Sequence, residues 1–183
     1  MKHPTSMTIK LLATVAAMAM TVVACQSKPK DSKPMETSND KPAQPTEKVE
    51  KTDAEWKAQL TPEQYRVARK SGTEAANGKA YKQFKAQGAG TYFCVGCNAE
   101  LFSSKEKFDA RCGWPSFYDP SNAKNVTTKD DISAGMVRTE VNCAKCDAHL
   151  GHVFKGEGFN TPTDKRFCIN GIVLKFVPEK EKK

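Results

Sequence analysis

Seven cysteines in a chain of 183 residues divide by position into one, four and two. Cys94 with Cys97, and Cys143 with Cys146, form two C-x-x-C pairs. Cys112 and Cys168 stand apart from any pair, and Cys25 closes an apolar run near the N-terminus. Each group points to its own sulfur chemistry. Clustered thiolates suit a soft metal, a lone thiol beside cationic or hydrogen-bonding groups suits redox work, and a cysteine ending an export leader suits acylation. The partition leaves no cysteine without an assignment, where an odd count in an exported protein otherwise implies a free thiol.

Each C-x-x-C follows a strand-like run, Tyr92-Phe93 or Val141-Asn142, and precedes a turn-prone residue, Asn98 or Asp147. Two such knuckles can set four thiolates tetrahedrally around one structural zinc ion, which has no redox chemistry of its own. The 45 residues between Cys97 and Cys143 are too many for a compact zinc ribbon, so the metal is expected to staple distant strands. The competing reading is two vicinal disulfides of thioredoxin type. That motif sits at the start of a helix in a βαβ unit, and none is visible here, but an oxidising compartment keeps the reading open.

Cys168 lies in Arg166-Phe167-Cys168-Ile169-Asn170. On a strand, Arg166, Cys168 and Asn170 share one face, and Phe167 and Ile169 the other. A guanidinium near a thiol favours the thiolate, and an amide two residues on can orient a polar substrate group. The bland alternative is a buried packing cysteine. Cys112 lies in Arg111-Cys112-Gly113-Trp114-Pro115-Ser116-Phe117, where Gly113 and Pro115 suggest a fixed loop. Trp114 is there either a core plug or the wall of a binding site. His149 and His152 follow the last C-x-x-C closely. They are spare ligands, turn histidines or acid–base groups. Four cysteines already complete a tetrahedral site, which frees them for the last.

The elements that position these residues are short. Thr52 with Glu55, and Thr61-Pro62 with Gln64, have capping-box spacing for two helices. A third helical turn is expected over Tyr81–Ala86. Strands are expected at Gly90–Val95, Ser133–Asn142, His149–Lys155 and, longest, Arg166–Val177. The body is therefore a mainly β, mostly antiparallel domain over residues 53–183. Ahead of it, residues 1–24 read as a signal peptide with Lys2 and Lys10 before an apolar run too short to span a bilayer. Val22-Val23-Ala24-Cys25 resembles a lipobox, which implies cleavage before Cys25 and lipidation of its thiol. Residues 25–52 read as the acylated cysteine and a disordered tether, because Pro, Lys, Glu, Ser and Thr leave almost nothing apolar to bury. The net charge is +8, of which +5 belongs to the domain with its signs interleaved. That balance argues only weakly for nucleic acid, and export argues against it.

Taken together these strings resemble the methionine-R-sulfoxide reductase B family. The match runs in order through Thr73-Glu74, Tyr92–Cys97, Leu101-Phe102, Lys107–Asp109, Cys112–Phe117, Gly135–Arg138, Cys143–Phe154 and Arg166–Asn170. The resemblance implies two antiparallel three-stranded sheets with short N-terminal helices and one structural Zn2+ on Cys94, Cys97, Cys143 and Cys146. It implies reduction of methionine (R)-sulfoxide, mainly in oxidised proteins. Cys168 would be the nucleophile and Cys112 the resolving cysteine, recycled by a thioredoxin-like reductant. His149, His152 and Asn170 would line the polar side of the pocket, and Trp114, Phe117 and Arg166 would contact substrate. The chain departs from the family pattern at Ala75–Gly78, at Arg111 and at Gly171. The protein is expected to be a monomer, lipid-anchored to a bacterial membrane and facing the periplasm or the cell surface. Two other classes compete. An exported zinc-ribbon binding module leaves Cys112, Cys168 and both histidines without a task, and a general dithiol–disulfide oxidoreductase would reduce disulfides but not sulfoxides.

Overall fold

A computed structural model describes residues 47–180. The leader, Cys25 and most of the segment read as tether lie outside the described residues. Thr52 and Thr61 start helices α1 (Asp53–Gln59) and α2 (Pro62–Arg69), each with both bonds of a capping box, as the spacing predicts. Helix α3 (Lys79–Ala86) follows and buries Tyr81 and Phe84. No helix among the described residues is long and apolar enough to cross a membrane. The end of the tether segment belongs to the folded body. The Val49 N–H donates to the Lys145 carbonyl at 2.8 Å, and the Lys48 ammonium to the Ala144 carbonyl at 2.8 Å. Val49 packs against the core.

Eight strands follow: β1 (Gly90–Cys94), β2 (Glu100–Ser103), β3 (Ser116–Phe117), β4 (Val126–Asp131), β5 (Arg138–Cys143), β6 (His149–Lys155), β7 (Lys165–Ile169) and β8 (Leu174–Pro178). They form two antiparallel sheets, ordered β2-β1-β8 and β3-β7-β6-β5-β4. The first has the expected three strands. The second has five, because β5, β6 and β7 gain β3 on one edge and β4 on the other. Neither extra strand carries a burial pattern: β3 is two residues long, and β4 is polar and mostly exposed. Between the sheets, Phe102 stacks on Phe117 at 4.5 Å, while Phe84 and Tyr92 meet Phe117 edge-on. Leu101, Val141, Leu150, Ile169 and Val173 complete a fully buried centre.

The expected long strand Arg166–Val177 is broken in two. β7 ends at Ile169, Gly171–Val173 make a 3-10 turn, and β8 joins the other sheet. The cause lies almost a hundred residues upstream. The buried Glu74 carboxylate accepts the backbone N–H groups of Gly171 and Ile172. Gly171 is also a tight spot, since a Cβ there would sit 2.9 Å from that of Ala80. Replacing Glu74 by Ala would strand two backbone donors, each worth about 1–3 kcal/mol when buried. The urea midpoint of Glu74→Ala should therefore fall by an amount equivalent to about 2 kcal/mol or more. An unchanged midpoint would remove this account of the strand break.

Candidate active site

The two C-x-x-C knuckles are built alike. Cys94 ends β1, accepts the Asn98 N–H at 2.8 Å and donates to Ala99 at 2.8 Å. Cys143 ends β5, accepts the Asp147 N–H at 2.9 Å and donates to Ala148 at 2.9 Å. Asn98 and Asp147 take the left-handed conformation, which Asn and Asp tolerate better than most residues. The four sulfurs lie within 4.8 Å of one another, with Cys94–Cys146 at 3.7 Å and Cys97–Cys143 at 3.5 Å. Sulfurs about 2.3 Å from one tetrahedral ion stand about 3.8 Å apart. The donor set therefore fits a single metal ion. Since β1 and β5 belong to different sheets, the cluster joins the two.

The two solitary cysteines meet elsewhere. Ser116 pairs with Cys168 across β3 and β7, and the Ile169 N–H donates to Pro115 at 2.9 Å. This docks the Arg111–Pro115 loop against β7 and sets the Cys112 and Cys168 sulfurs 3.9 Å apart. One hydrogen bond ties them. It draws the Cys112 thiol down to about 5 and, with burial, pushes Cys168 up. The Arg166 charge pulls Cys168 the other way but does not win. The first ionisation thus belongs to the pair, with one proton shared between two sulfurs.

Cys168 opens onto a cavity of about 140 Å³, whereas Cys112 does not line it. Trp114 forms one wall. Its indole N–H donates to the Glu74 carbonyl at 3.1 Å, and the Glu74 N–H donates to Asn170 Oδ1 at 3.0 Å. Asn170, whose amide N–H also reaches the Leu150 carbonyl at 3.0 Å, lines the cavity beside Thr73. Phe154, Arg138 and His152 close the other side. Gly151 lets the strands come this close, because a Cβ there would lie 2.0 Å from the Cys168 carbonyl oxygen.

Both histidines are held by acids. His152 Nε2 lies 2.7 Å from Asp131 Oδ2, which Arg138 also grips at 2.6 Å. His149 Nδ1 lies 2.5 Å from Glu140 Oε1. Residues three apart on a regular strand face opposite ways. Here the β5–β6 register shifts between Val141 and Asn142, and the two rings come within 5.6 Å. His149 nevertheless stands behind His152. It is buried, it does not line the cavity, and burial moves its pKa downward against the pull of Glu140.

Two expected substrate contacts are placed differently. Phe117 is 0% exposed and stacked in the core, because its strand turns Ser116 toward the cysteines and Phe117 away. Arg166 is clasped by Glu157 through two bonds of 2.8 Å and lies over Phe154 at 4.4 Å. It acts on the sulfur pair as a nearby charge and not as a wall of the cavity. The partners Asp131, Glu140 and Glu74 carried no assigned role. The shared face of Arg138 and Glu140 on one strand was the available signal for acids beside the histidines. Arg111, one of the departures noted above, sits at φ 54 with its N–H on Asp109. That is a left-handed position that glycine takes at no steric cost.

Fold and site together define a mainly antiparallel β protein in which, among the described residues, two adjacent thiols, one of them lining a cavity, stand apart from a four-thiol cluster. A family model for the SelR domain matches residues 60–178, a span that holds both. The chain is 52% identical over 132 residues to "Peptide methionine sulfoxide reductase MsrB" of Pseudomonas fluorescens (strain Pf0-1), covering 72% of this chain and 98% of that protein. It is 49% identical over 134 residues to the protein of the same name from Leifsonia xyli subsp. xyli (strain CTCB07), covering 73% and 94%. "Peptide methionine sulfoxide reductase B3" of Arabidopsis thaliana is 50% identical over 130 residues, 71% of each chain. The chain belongs to the SelR-domain family of methionine sulfoxide reductases B.

The shared proton is directly testable. In Cys168→Ser, Cys112 loses the sulfur that lowers it, so its thiolate absorbance should titrate well above the wild-type value of about 5. A Cys112 titration unchanged by that substitution would show that the two sulfurs are not coupled.

Proposed function

We propose that this protein reduces methionine (R)-sulfoxide residues of oxidised proteins to methionine. The observation that carries the reading is the half-buried sulfur of Cys168 at the base of a cavity walled by Trp114, with a second sulfur 3.9 Å behind it. The Trp114 face suits an S-methyl group. Thr73, Asn170 and His152 give the sulfoxide oxygen a polar side, and Asp131 orients the His152 ring.

The steps balance as follows. The Cys168 thiolate, its proton passed to Cys112, attacks the sulfoxide sulfur. Oxygen leaves the substrate only as it gains a proton, which His152 supplies. Methionine departs and Cys168 carries the oxygen as sulfenic acid. The Cys112 thiol displaces that oxygen as water and forms the Cys112–Cys168 disulfide. A thioredoxin-like dithiol then reduces the disulfide and is itself oxidised. One Zn2+ on Cys94, Cys97, Cys143 and Cys146 serves structure alone, as expected of four thiolates that leave no open coordination position.

The chain acts as a lipid-anchored monomer outside the cytoplasm. Support for this is the position of Cys25 directly after the apolar run and the Pro- and charge-rich stretch that follows it. Cys25→Ser should abolish incorporation of labelled fatty acid and release the domain from the membrane fraction. A mature protein that begins elsewhere than residue 25 would end the lipoprotein reading.

The decisive assay offers both sulfoxide epimers to one preparation whose metal content is also measured. Wild type should consume the R epimer alone, with about one zinc per chain. Cys168→Ser should be inactive. Cys112→Ser should release methionine once and stop when a thioredoxin-like protein is the sole reductant, because the disulfide such a donor attacks never forms. Sustained turnover by Cys168→Ser would refute the assignment.

A further inference from the structure

Five large apolar side chains are exposed among the described residues, and three of them stand in one loop: Ile132 at 78%, Met136 at 46% and Val137 at 88%. This loop, residues 132–137, joins β4 to β5. Both of its feet are at the mouth of the Cys168 cavity. Asp131, just before it, touches His152, and Arg138, just after it, lines the cavity. Asp131 and Arg138 are cross-strand partners joined by an ion pair of 2.6 Å, and Asp131 also accepts the Ser133 N–H at 2.9 Å. The neck is therefore pinned. The tip turns through Ala134 and Gly135, both at positive φ, which leaves Ile132 and Val137 directed to solvent.

The cavity sets what can lie over this loop. At about 140 Å³ it is close to the size of a cavity that holds one benzene, roughly 150 Å³. It admits a single side chain and no backbone. A methionine sulfoxide within a polypeptide must leave its main chain and its neighbours outside, passing over the rim. A second copy of the protein seated on the loop would cover the same mouth.

We propose that the apolar loop 132–137 is a docking rim for the polypeptide substrate, gripping apolar side chains that flank the methionine sulfoxide in an unfolded or extended segment. The inference rests on the sulfoxide-reductase reading and adds to it the part of the substrate that the cavity cannot hold. A methionine that is buried in the native fold has other core-facing apolar residues two to four positions away, so a rim of this kind selects chains whose cores have opened. Association through such contacts appears in KM and not in the chemical step.

The test uses the full chain and three R-sulfoxide substrates. They are a blocked single residue, a pentapeptide with Leu and Val flanking the sulfoxide, and one with Gly and Ser flanking it. Wild type should favour the apolar peptide over the Gly/Ser peptide about tenfold in kcat/KM, the equivalent of about 1.4 kcal/mol. The double variant Ile132→Ser/Val137→Ser should lose that preference, mostly through KM. Its kcat/KM on the single residue should stay within about twofold, which also shows that the variant is folded. Equal rates on the two peptides in wild type would overturn the rim, as would a variant that loses all three substrates equally. So would a concentration-dependent dimer that the variant abolishes without any change in peptide preference. A wild type that turns over no sulfoxide at all would sink the reductase reading itself, and the single-residue arm distinguishes that outcome from failure of the rim alone.

Discussion

One residue, Glu74, holds the catalytic face in register. Its carboxylate binds the turn after β7, its carbonyl binds the Trp114 indole, and its N–H binds the Asn170 side chain. These contacts tie the loop before α3, which carries Glu74, to two segments distant in sequence: the loop after Cys112 and the end of the cysteine strand. Burial raises the pKa of the carboxyl, and the two backbone donors oppose that rise. Charge-assisted bonds to backbone N–H groups are among the stronger hydrogen bonds available to a protein. Without them nothing local would stop the apolar run after Asn170 from continuing as one strand. Stopping it sends β8 to the other sheet, where it pairs with β1 along its whole length. The same bonds thus place Asn170 and Trp114 at the cavity and bring β1, with its first knuckle, onto the body of the fold.

The four-thiol cluster does the complementary work at the opposite ends of the strands. β1 and β5 belong to separate sheets, and Cys94 and Cys143 are their last residues. A metal ion held there would cross-link the two sheets at the edge of the core, where Cys94, Cys143 and Cys146 pack with Trp56. A domain of about 130 residues buries a modest share of its surface, and such domains gain from a covalent or metal staple. The seven cysteines therefore divide by mechanical task as well as by chemistry. The clustered four are held by backbone bonds at chain turns, and Cys168 of the other two lines the cavity.

Much of this was legible in the sequence where the cause is local. The helix starts followed from Thr52-Glu55 and Thr61-Gln64, because a capping box is closed by residues three apart. The knuckles followed from C-x-x-C with Asn98 or Asp147 behind it, because a left-handed residue must end that turn. What was not legible has long-range causes. The break after Ile169 depends on Glu74, and the edge strand β4 exists only by pairing with β5. Phe117 shows another limit. A specific string tells that a residue matters without telling which way it faces, and pairing of β3 with β7 turns it into the core. The histidines show a third. Their spacing alone puts them on opposite faces, and only the register shift opposite Asn142 brings both rings to one place.

The roles proposed for Cys112 and Cys168 rest on access more than on proton affinity. The hydrogen bond between the sulfurs draws Cys112 down and pushes Cys168 up, although Arg166 lies close by. A thiolate that faces no substrate is inert, however low its pKa. Cys168 faces the cavity, and the 3.9 Å sulfur contact gives its proton somewhere to go. The pair is then a charge store with two positions. On the proposed mechanism, moving the shared proton onto Cys112 would create the attacking thiolate and leave Cys112 as the neutral thiol for the resolving step. A nucleophile ionised at all times by its own cation would be faster to attack, but it would also be open to every oxidant small enough to enter the cavity.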